Sequence, residues 1–252
     1  MSAPKGSRPV EGQGRARTAT YLTEHAGPIM LAYGASELRM TGFIRNIRDN
    51  YSIKPRYRKI AVSPDAPNEA AFTEGTAIAT EQWSQDFDLS TFGSFMFIQP
   101  CLGAAATAGS GGEGFSMFQA WLDSQAEIVG RQTLILQPNL NTSQNGIIPL
   151  GKPFPAFGLS GIMIAVAARG VAGSPTMNFL SRTAIADPSR PGAWDTGSPL
   201  LGGTKTFSSV TEDYNTGNLI FAPTDVAYAQ LAAKIPAVDA TGTFEIIIAA
   251  KY

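Results

Sequence analysis

The chain has 252 residues, of which 44% are apolar, enough for a sizeable core in one large β domain or two smaller units. Only 15% are charged, against roughly 25% in an average soluble domain, so we expect neighbouring molecules to cover part of the surface. Cys101 is the only cysteine and His25 the only histidine, which excludes a disulfide framework, a zinc cluster and most acid–base schemes. No apolar run approaches the ~18 residues of a membrane span and no signal peptide is visible, so no membrane association is expected.

The two signs of charge are separated along the sequence. Residues 1–60 carry eleven Lys and Arg against four Asp and Glu, a net charge of +7, and the other 192 residues carry a net charge of −8. Residues 1–18 are rich in Gly, Pro, Ser and Arg and show no periodicity, so we predict an extended basic arm at 1–18 and a β-rich body at 19–252. A positive arm favours docking onto the acidic body of an identical subunit, and contact with nucleic acid is the less favoured alternative.

Short apolar or alternating runs separated by Gly, Pro, Asn and Asp predict strands throughout the body. The main runs are 38–44, 56–62, 81–89, 92–98, 132–137, 159–169, 176–181 and 243–250. Helical spacing of apolar residues predicts a helix over residues 115–128, and a second short helix is predicted over 225–235, before Pro236. The small-residue segment 103–114 suggests a subdivision into 19–102 and 115–252. The sequence therefore predicts a mainly β fold, like a β-sandwich or jelly roll, with one or two short helices.

Three patterns that resemble catalytic sites are weak. Gly109, Gly111 and Gly114 match a dinucleotide-binding motif, but no buried parallel strand directly precedes them. Asp86 and Asp88 alternate on a predicted strand and would face the same side, as a glycosidase pair or metal site requires, although a solvated strand face is more common. A catalytic triad could use only His25, and no nucleophile elbow is present. We therefore expect no catalytic residue, no metal and no cofactor.

The basic stretch between residues 45 and 59 contains tyrosines among arginines and lysines. Such a pattern suits single-stranded nucleic acid, but Arg and Tyr are also typical anchors of subunit contacts. We favour the subunit contact because the acidic remainder of the chain offers a partner and no RNA-binding motif is present. The predicted contact residues are Arg8, Arg15, Arg17, Arg45, Arg48, Tyr51, Arg56, Tyr57 and Arg58.

Residues 159–180 read LSGIMIAVAARGVAGSPTMNFL: an apolar strand, a Gly-x-Pro-Thr turn and a returning strand, followed by a loop with Trp194. This pattern resembles virion β-sandwich proteins of tailed bacteriophages over roughly residues 155–250. The resemblance implies a capsid-decoration, coat or tail-associated role with no catalytic residues.

The leading hypothesis is a non-enzymatic structural virion protein made in the host cytoplasm. It would be a capsid decoration (cement) or coat subunit that contacts its own copies and other virion proteins. The alternative is a carbohydrate- or receptor-binding β-sandwich of a phage tail, and a glycoside hydrolase is the least favoured reading.

Overall fold

A computed structural model describes residues 8–9, 14–17, 25–46, 52–60, 72–90, 95–104, 114–137, 147–184, 198–219, 227–235 and 239–252. Within these ranges the regular structure consists of eighteen strands, so the prediction of a mainly β chain is confirmed. No helix in the described part is long and apolar enough to cross a membrane. The strands are β1 (Arg8–Pro9), β2 (Gly14–Arg17), β3 (His25–Ala26), β4 (Met30–Leu31), β5 (Glu37–Asn46), β6 (Ile53–Ile60), β7 (Thr73–Glu74), β8 (Gln82–Asp88), β9 (Phe97–Ala104), β10 (Gly114–Leu122), β11 (Ala126–Leu136), β12 (Ile147–Pro155), β13 (Gly161–Ala172), β14 (Thr176–Ala184), β15 (Ser198–Thr206), β16 (Thr211–Asn215), β17 (Tyr228–Lys234) and β18 (Thr241–Lys251).

The strands belong to two compact units, and each contains two antiparallel sheets. The first unit comprises Met1–Ile60 and Pro64–Gln125. One of its sheets has the order β1-β10-β5-β8, with β2 also pairing β10, and the other has the order β3-β9-β6-β7, with β4 also pairing β9. The second unit is formed mainly by Ala126–Tyr252, with sheets of order β11-β18-β13-β16 and β12-β17-β14-β15.

Both units pair their strands by the same rule. We count β1 with β2 as one position and β3 with β4 as the next, which gives each unit eight positions. In each unit the first position pairs with the eighth, the second with the seventh, the third with the sixth and the fourth with the fifth. These four pairs form one long hairpin ribbon. Successive pairs alternate between the two sheets, so the ribbon is rolled into two layers.

Each unit has its own hydrophobic core, to which both of its sheets contribute. In the first core Met40 and Phe118 from one sheet lie in the same buried cluster as Tyr57 and Ile98 from the other. In the second core Phe244 of β18 is clustered with Phe179 of β14 and Leu231 of β17. Burial of side chains of this size contributes roughly 1.5–3 kcal/mol each, so the two cores are the main stabilising feature of the two layers.

The predicted helices are wrong where the structure describes them. Residues 115–128 are occupied by β10 and the start of β11, and the described part of 225–235 is β17. On β10 the apolar residues serve both faces: Phe118 and Leu122 are buried in the core, whereas Trp121 is only partly buried. Apolar residues on both faces of a strand imitate helical spacing in the sequence.

The predicted N-terminal arm is not confirmed. The two segments of residues 1–18 that the structure describes, β1 and β2, both pair with β10 of the first unit. The first unit ends at Gln125 and the second resumes at Ala126, so β10 lies in the first unit, whereas the predicted subdivision at 103–114 would assign it to the second. The reason is that β10 pairs with β5 over nine residues, from Leu38 to Asn46.

The Gly-x-Pro-Thr turn connects the two sheets of the second unit. β13 and β14 belong to different sheets of the second unit, so the Gly173–Pro175 turn between them does not close a hairpin. Ser174 has a φ of 48° and Gly173 a φ of 77°, and a Cβ on Gly173 would lie 2.4 Å from the carbonyl oxygen of Asp239. The sharp crossing therefore requires glycine at position 173.

We predict that Gly42→Ala destabilises the first unit by at least about 2 kcal/mol. A Cβ at Gly42 would lie 2.0 Å from the carbonyl oxygen of Met117 and 2.7 Å from the Trp83 ring, so β5 and β10 would have to separate. Urea denaturation followed by tryptophan fluorescence in a Trp194→Phe background would measure this, because only Trp83 and Trp121 then report. Thr41→Ser, one residue earlier on β5, is the control; equal midpoints for the two variants would contradict the prediction.

Deletion of residues 1–18 is expected to destabilise the first unit, because β10 would lose β1 and β2 and become an exposed edge strand. Light scattering during mild heating should show earlier aggregation than for the full chain. If the truncated chain begins to scatter light at the same temperature as the full chain, β1 and β2 do not protect this edge.

Candidate functional site

Side chains alternate between the core and the outer surface along β6. Ile53 and Tyr57 are buried in the core of the first unit, while Lys54, Arg56 and Arg58 are half-buried on the opposite side. The neighbouring strands add further groups to the same side. We call this surface the cationic face; it comprises Lys54, Arg56, Arg58, Phe72, Glu74 and Gln99.

Arg56 is the most constrained residue of the cationic face. Its guanidinium carbon lies 4.2 Å from the centre of the Phe72 ring, and its Nη1 lies 3.7 Å from Oε1 of Glu74. Gly103 on β9 lies beneath it, where a Cβ would come within 3.0 Å of Cζ. A guanidinium held by an aromatic ring, a carboxylate and close backbone is fixed in position, so Arg56 mainly shapes this face.

Glu74 and Gln99 hold the other two cations. Lys54 Nζ forms an ion pair with Oε2 of Glu74, and Arg58 Nε donates a 2.8 Å hydrogen bond to Oε1 of Gln99. The hydrogen bond from Lys54, together with the charges of Lys54 and Arg56, lowers the pKa of Glu74 below its usual value. Three cations with one carboxylate leave the cationic face positive.

The structure brings only part of the predicted contact set to this face. Arg56 and Arg58 lie on it, but Tyr57 does not. Its side chain is fully buried, with its ring 5.1 Å from that of Phe87. The reason is that successive residues of a strand point to opposite sides. Burial raises the pKa of Tyr57 above its usual value. The remaining members are Arg8, Arg15, Arg17, Arg45, Arg48 and Tyr51.

The six remaining residues fall into two groups, according to whether the structure describes their backbone. Arg48 and Tyr51 lie outside the described residues. Arg8, Arg15, Arg17 and Arg45 lie on β1, β2 and β5, and only their backbone is described. Arg17 and Arg45 pair with Phe115 from either side of β10, so they share one row of the sheet that includes β5, and not the sheet of the cationic face.

A groove of about 470 Å³ lies on the outer surface of β5, β8 and β10. Its position was not predicted, because none of its polar residues was singled out from the sequence. Phe43 is 36% exposed, and Gln82 and Gln119 are exposed as well. The residues that line it are Thr41, Gly42, Phe43, Gln82, Met117, Phe118, Gln119 and Trp121. A groove with aromatic and thioether walls and a few amide and hydroxyl groups is the usual form of a binding site.

An acidic margin runs beside the groove, on the same side of β5 and β8. Arg39 Nε and Nη2 bind the two carboxylate oxygens of Asp86 at 2.7 and 2.9 Å, and Arg39 also lies 3.3 Å from Glu37. Asp88 pairs across the sheet with Glu37. Three carboxylates against one guanidinium make this margin negative.

The catalytic alternatives receive little support from the geometry. Asp86 and Asp88 do share an exposed side of β8, but Asp86 is held by Arg39. Hydrogen bonds from Ser90 lower the pKa of Asp88, whereas a glycosidase acid needs a raised pKa. Most of the glycine motif lies outside the described residues, and Gly114 opens strand β10, where a dinucleotide site requires a helix.

The cysteine and the histidine lie on strands of the first unit. Cys101 is fully buried, with its thiol 3.6 Å from the carbonyl oxygen of Gln99, and His25 lies on β3, opposite Leu102. Among the residues described, no three His, Cys, Asp or Glu side chains come together as a metal site requires.

Comparison with known proteins shows only distant likeness. No protein-family model matches the chain, and no curated protein does. Among solved structures, the tandem CBM22-1–CBM22-2 domain of Xyn10C from Paenibacillus barcinonensis is 8% identical, with a TM-score of 0.26 over 99% of this chain and 94% of that one. The structure of infectious bursal disease virus Gt strain is 9% identical, with a TM-score of 0.29 over 98% and 71% of the two chains. Such low identities and TM-scores carry no argument about function.

We predict that Lys54→Met raises the pKa of Glu74 toward its usual value, because the main cause of its lowering is the hydrogen bond from Lys54. In the wild type the ion pair stabilises the fold above the unfolded-state pKa, and this stabilisation is lost as the pH falls through the lower folded-state pKa. Carboxyl carbon chemical shifts recorded against pH would measure the change. Lys152→Met, an exposed lysine of the second unit, should leave the Glu74 titration where it is.

Proposed function

We propose that each unit is a jelly-roll β-sandwich and that the chain is a non-enzymatic structural virion protein, a coat or capsid-decoration subunit. The strand pairing carries this proposal. A hairpin ribbon of four strand pairs rolled into two sheets has the topology of an eight-stranded jelly roll, which is common in viral capsids, lectins and cupins. Because this topology occurs twice in one chain, the proposed coat subunit would contain two jelly-roll domains.

The amino-acid composition favours the capsid use of the fold over the cupin use. A metal-dependent enzyme of cupin type would need several ligands, and the whole chain holds one histidine and one cysteine. A subunit that is covered by its neighbours needs few charges of its own, and only 15% of residues are charged. Composition and topology together therefore favour a coat role. The protein would be made in the host cytoplasm and then become part of the virion.

The positive N-terminal segment supplies the contact chemistry in this proposal. Arg58 on the cationic face, together with Arg8, Arg15, Arg17, Arg45, Arg48 and Tyr51, would meet the acidic surface of identical subunits or of other virion proteins. Arg56 would act indirectly, by positioning Phe72 and Glu74. Nucleic acid is the less favoured partner of the same cations.

The groove supports a second candidate, the carbohydrate- or receptor-binding module. Partly buried Trp121 together with Gln82 and Gln119 offers an aromatic surface beside amide groups, which suits a polar ligand with an apolar side. A glycan array with the full chain tests it directly, and specific glycan binding by a chain that forms no particles would favour this candidate over the coat role.

The coat proposal predicts that the purified full chain assembles into closed particles. Negative-stain microscopy and sedimentation velocity at low ionic strength would detect them. Because sign-separated charges are screened by salt, assembly should weaken between about 0.05 and 0.5 M NaCl. Arg58→Glu should weaken it further, whereas Lys234→Glu on the second unit serves as the matched control. A chain that stays monomeric at high concentration under all these conditions would contradict the proposal.

A further inference from the structure

The geometry points to a specific contact between copies: we propose that Phe157 of one chain inserts into the groove on β5, β8 and β10 of a second chain. This inference rests on the proposed coat function, because it names the partner of the groove as another subunit. Phe157 lies in the short turn between β12 and β13, and residues 155–160 are called the Phe157 turn below.

Phe157 is the most exposed of the large apolar side chains that the structure describes, at 92%. Its two flanking apolar neighbours, Ala156 and Leu159, are both buried in the core of the second unit. The aromatic ring therefore projects from the turn between two apolar residues, Ala156 and Leu159, that point inward. An isolated subunit gains nothing from this arrangement, whereas an interface uses such residues as anchors.

The Phe157 turn is fixed at both ends, so Phe157 cannot fold back onto the core. The amide of Ala156 donates to the carbonyl of Ala227 at 3.0 Å, and the amide of Leu159 donates to the carbonyl of Ala156 at 3.2 Å. Ser160 donates from its amide to the carbonyl of Lys251 at 2.7 Å. A side chain presented on a rigid turn loses little conformational entropy when it binds, which favours its use as an anchor.

The groove has the size and lining that this ring requires. Its volume of about 470 Å³ exceeds that of a phenylalanine side chain and leaves room for part of the turn. Phe43, Met117 and Trp121 line its apolar part. Aromatic pairs favour edge-to-face or offset contact and add about 0.5–1.5 kcal/mol beyond area burial. Gln82 and Gln119 can bind the backbone polar groups of the turn.

The charges on the two surfaces can be matched in one orientation. Lys152 precedes the Phe157 turn, while Glu127 is a charged neighbour of Tyr252, whose hydroxyl donates to the carbonyl of Pro155 in the turn. On the β8 side of the groove Glu37, Asp86 and Asp88 outnumber Arg39, and on the β2 side Arg15 pairs with Met117. An orientation that directs Lys152 toward the acidic side and Glu127 toward Arg15 satisfies both, and such matching fixes the orientation of the contact.

The contact joins two different surfaces, one on each unit, so it is heterologous. Every subunit offers one Phe157 turn and one groove, and each added copy leaves both a free turn and a free groove until a ring or shell closes. Such a contact suits assembly of many copies more than formation of an isolated dimer.

Two variants that disable opposite halves of the contact provide the test. Phe157→Ala removes the anchor, and Thr41→Trp fills the groove; Gln119→Arg replaces the second variant if it does not fold, as judged by circular dichroism. Each variant alone should associate at least about tenfold more weakly than the wild type. Mixed together they should form a 1:1 heterodimer in sedimentation velocity, because one retains the turn and the other the groove. Val210→Ala, at a turn residue that is 69% exposed, is the control and should assemble as the wild type does.

The outcomes separate this inference from the coat proposal. If the wild type assembles and Phe157→Ala assembles equally well, or if the mixture gives no heterodimer, the inference is overturned and the coat proposal stands. If the wild type never assembles, both are overturned. If Phe157→Ala assembles normally while glycans change Trp121 fluorescence, the groove is a glycan site and not a subunit contact.

Discussion

Each unit depends on pairing between strands from its opposite ends. In the second unit β18 lies between β11 and β13, with Ala126 paired to Lys251 at one end of the ladder and Leu136 to Gly242 at the other. Only in this position do Phe244, Ile246 and Ile248 complete the core. β10 does the same in the first unit, where it joins β1 and β2 to β5. The groove lies beside β10, and the core of the second unit closes around β18.

The alternation of side chains lets one strand serve core and surface together. Phe118 and Leu122 of β10 are buried, while Met117, Gln119 and Trp121 line the groove on the other side. On β6 the same alternation buries Tyr57 and turns Arg56 and Arg58 outward. Because the outer residues are carried by strands whose inner residues are fully packed, these outer surfaces are firmly supported. The coat role proposed above requires such support, because a site is precise when it is built on rigid elements.

Local pattern was enough to predict individual strands but not their partners. β13 and β18 were visible because their runs are too apolar for a loop and too rich in Ile, Val and Ala for an exposed segment. β10 was mistaken for a helix because aromatic residues occur on both of its faces. Tyr57 was placed on the surface although its alternation with Arg56 and Arg58 already indicated the core. The groove could not be predicted at all, because its walls come from three strands whose adjacency is decided by residues more than thirty positions apart.

Duplication of one topology within a chain creates a risk of strand exchange. β10 and β18 hold equivalent positions in the two units, and tandem domains of similar design are prone to misassembly. The two strands carry different core residues, which discriminates between them: β10 brings Phe118 and Leu122 to the first core, whereas β18 brings Phe244, Ile246 and Ile248 to the second. An exchanged strand would therefore leave voids on one side and steric clashes on the other. Dissimilar core residues therefore favour correct pairing within each unit over exchange between the two.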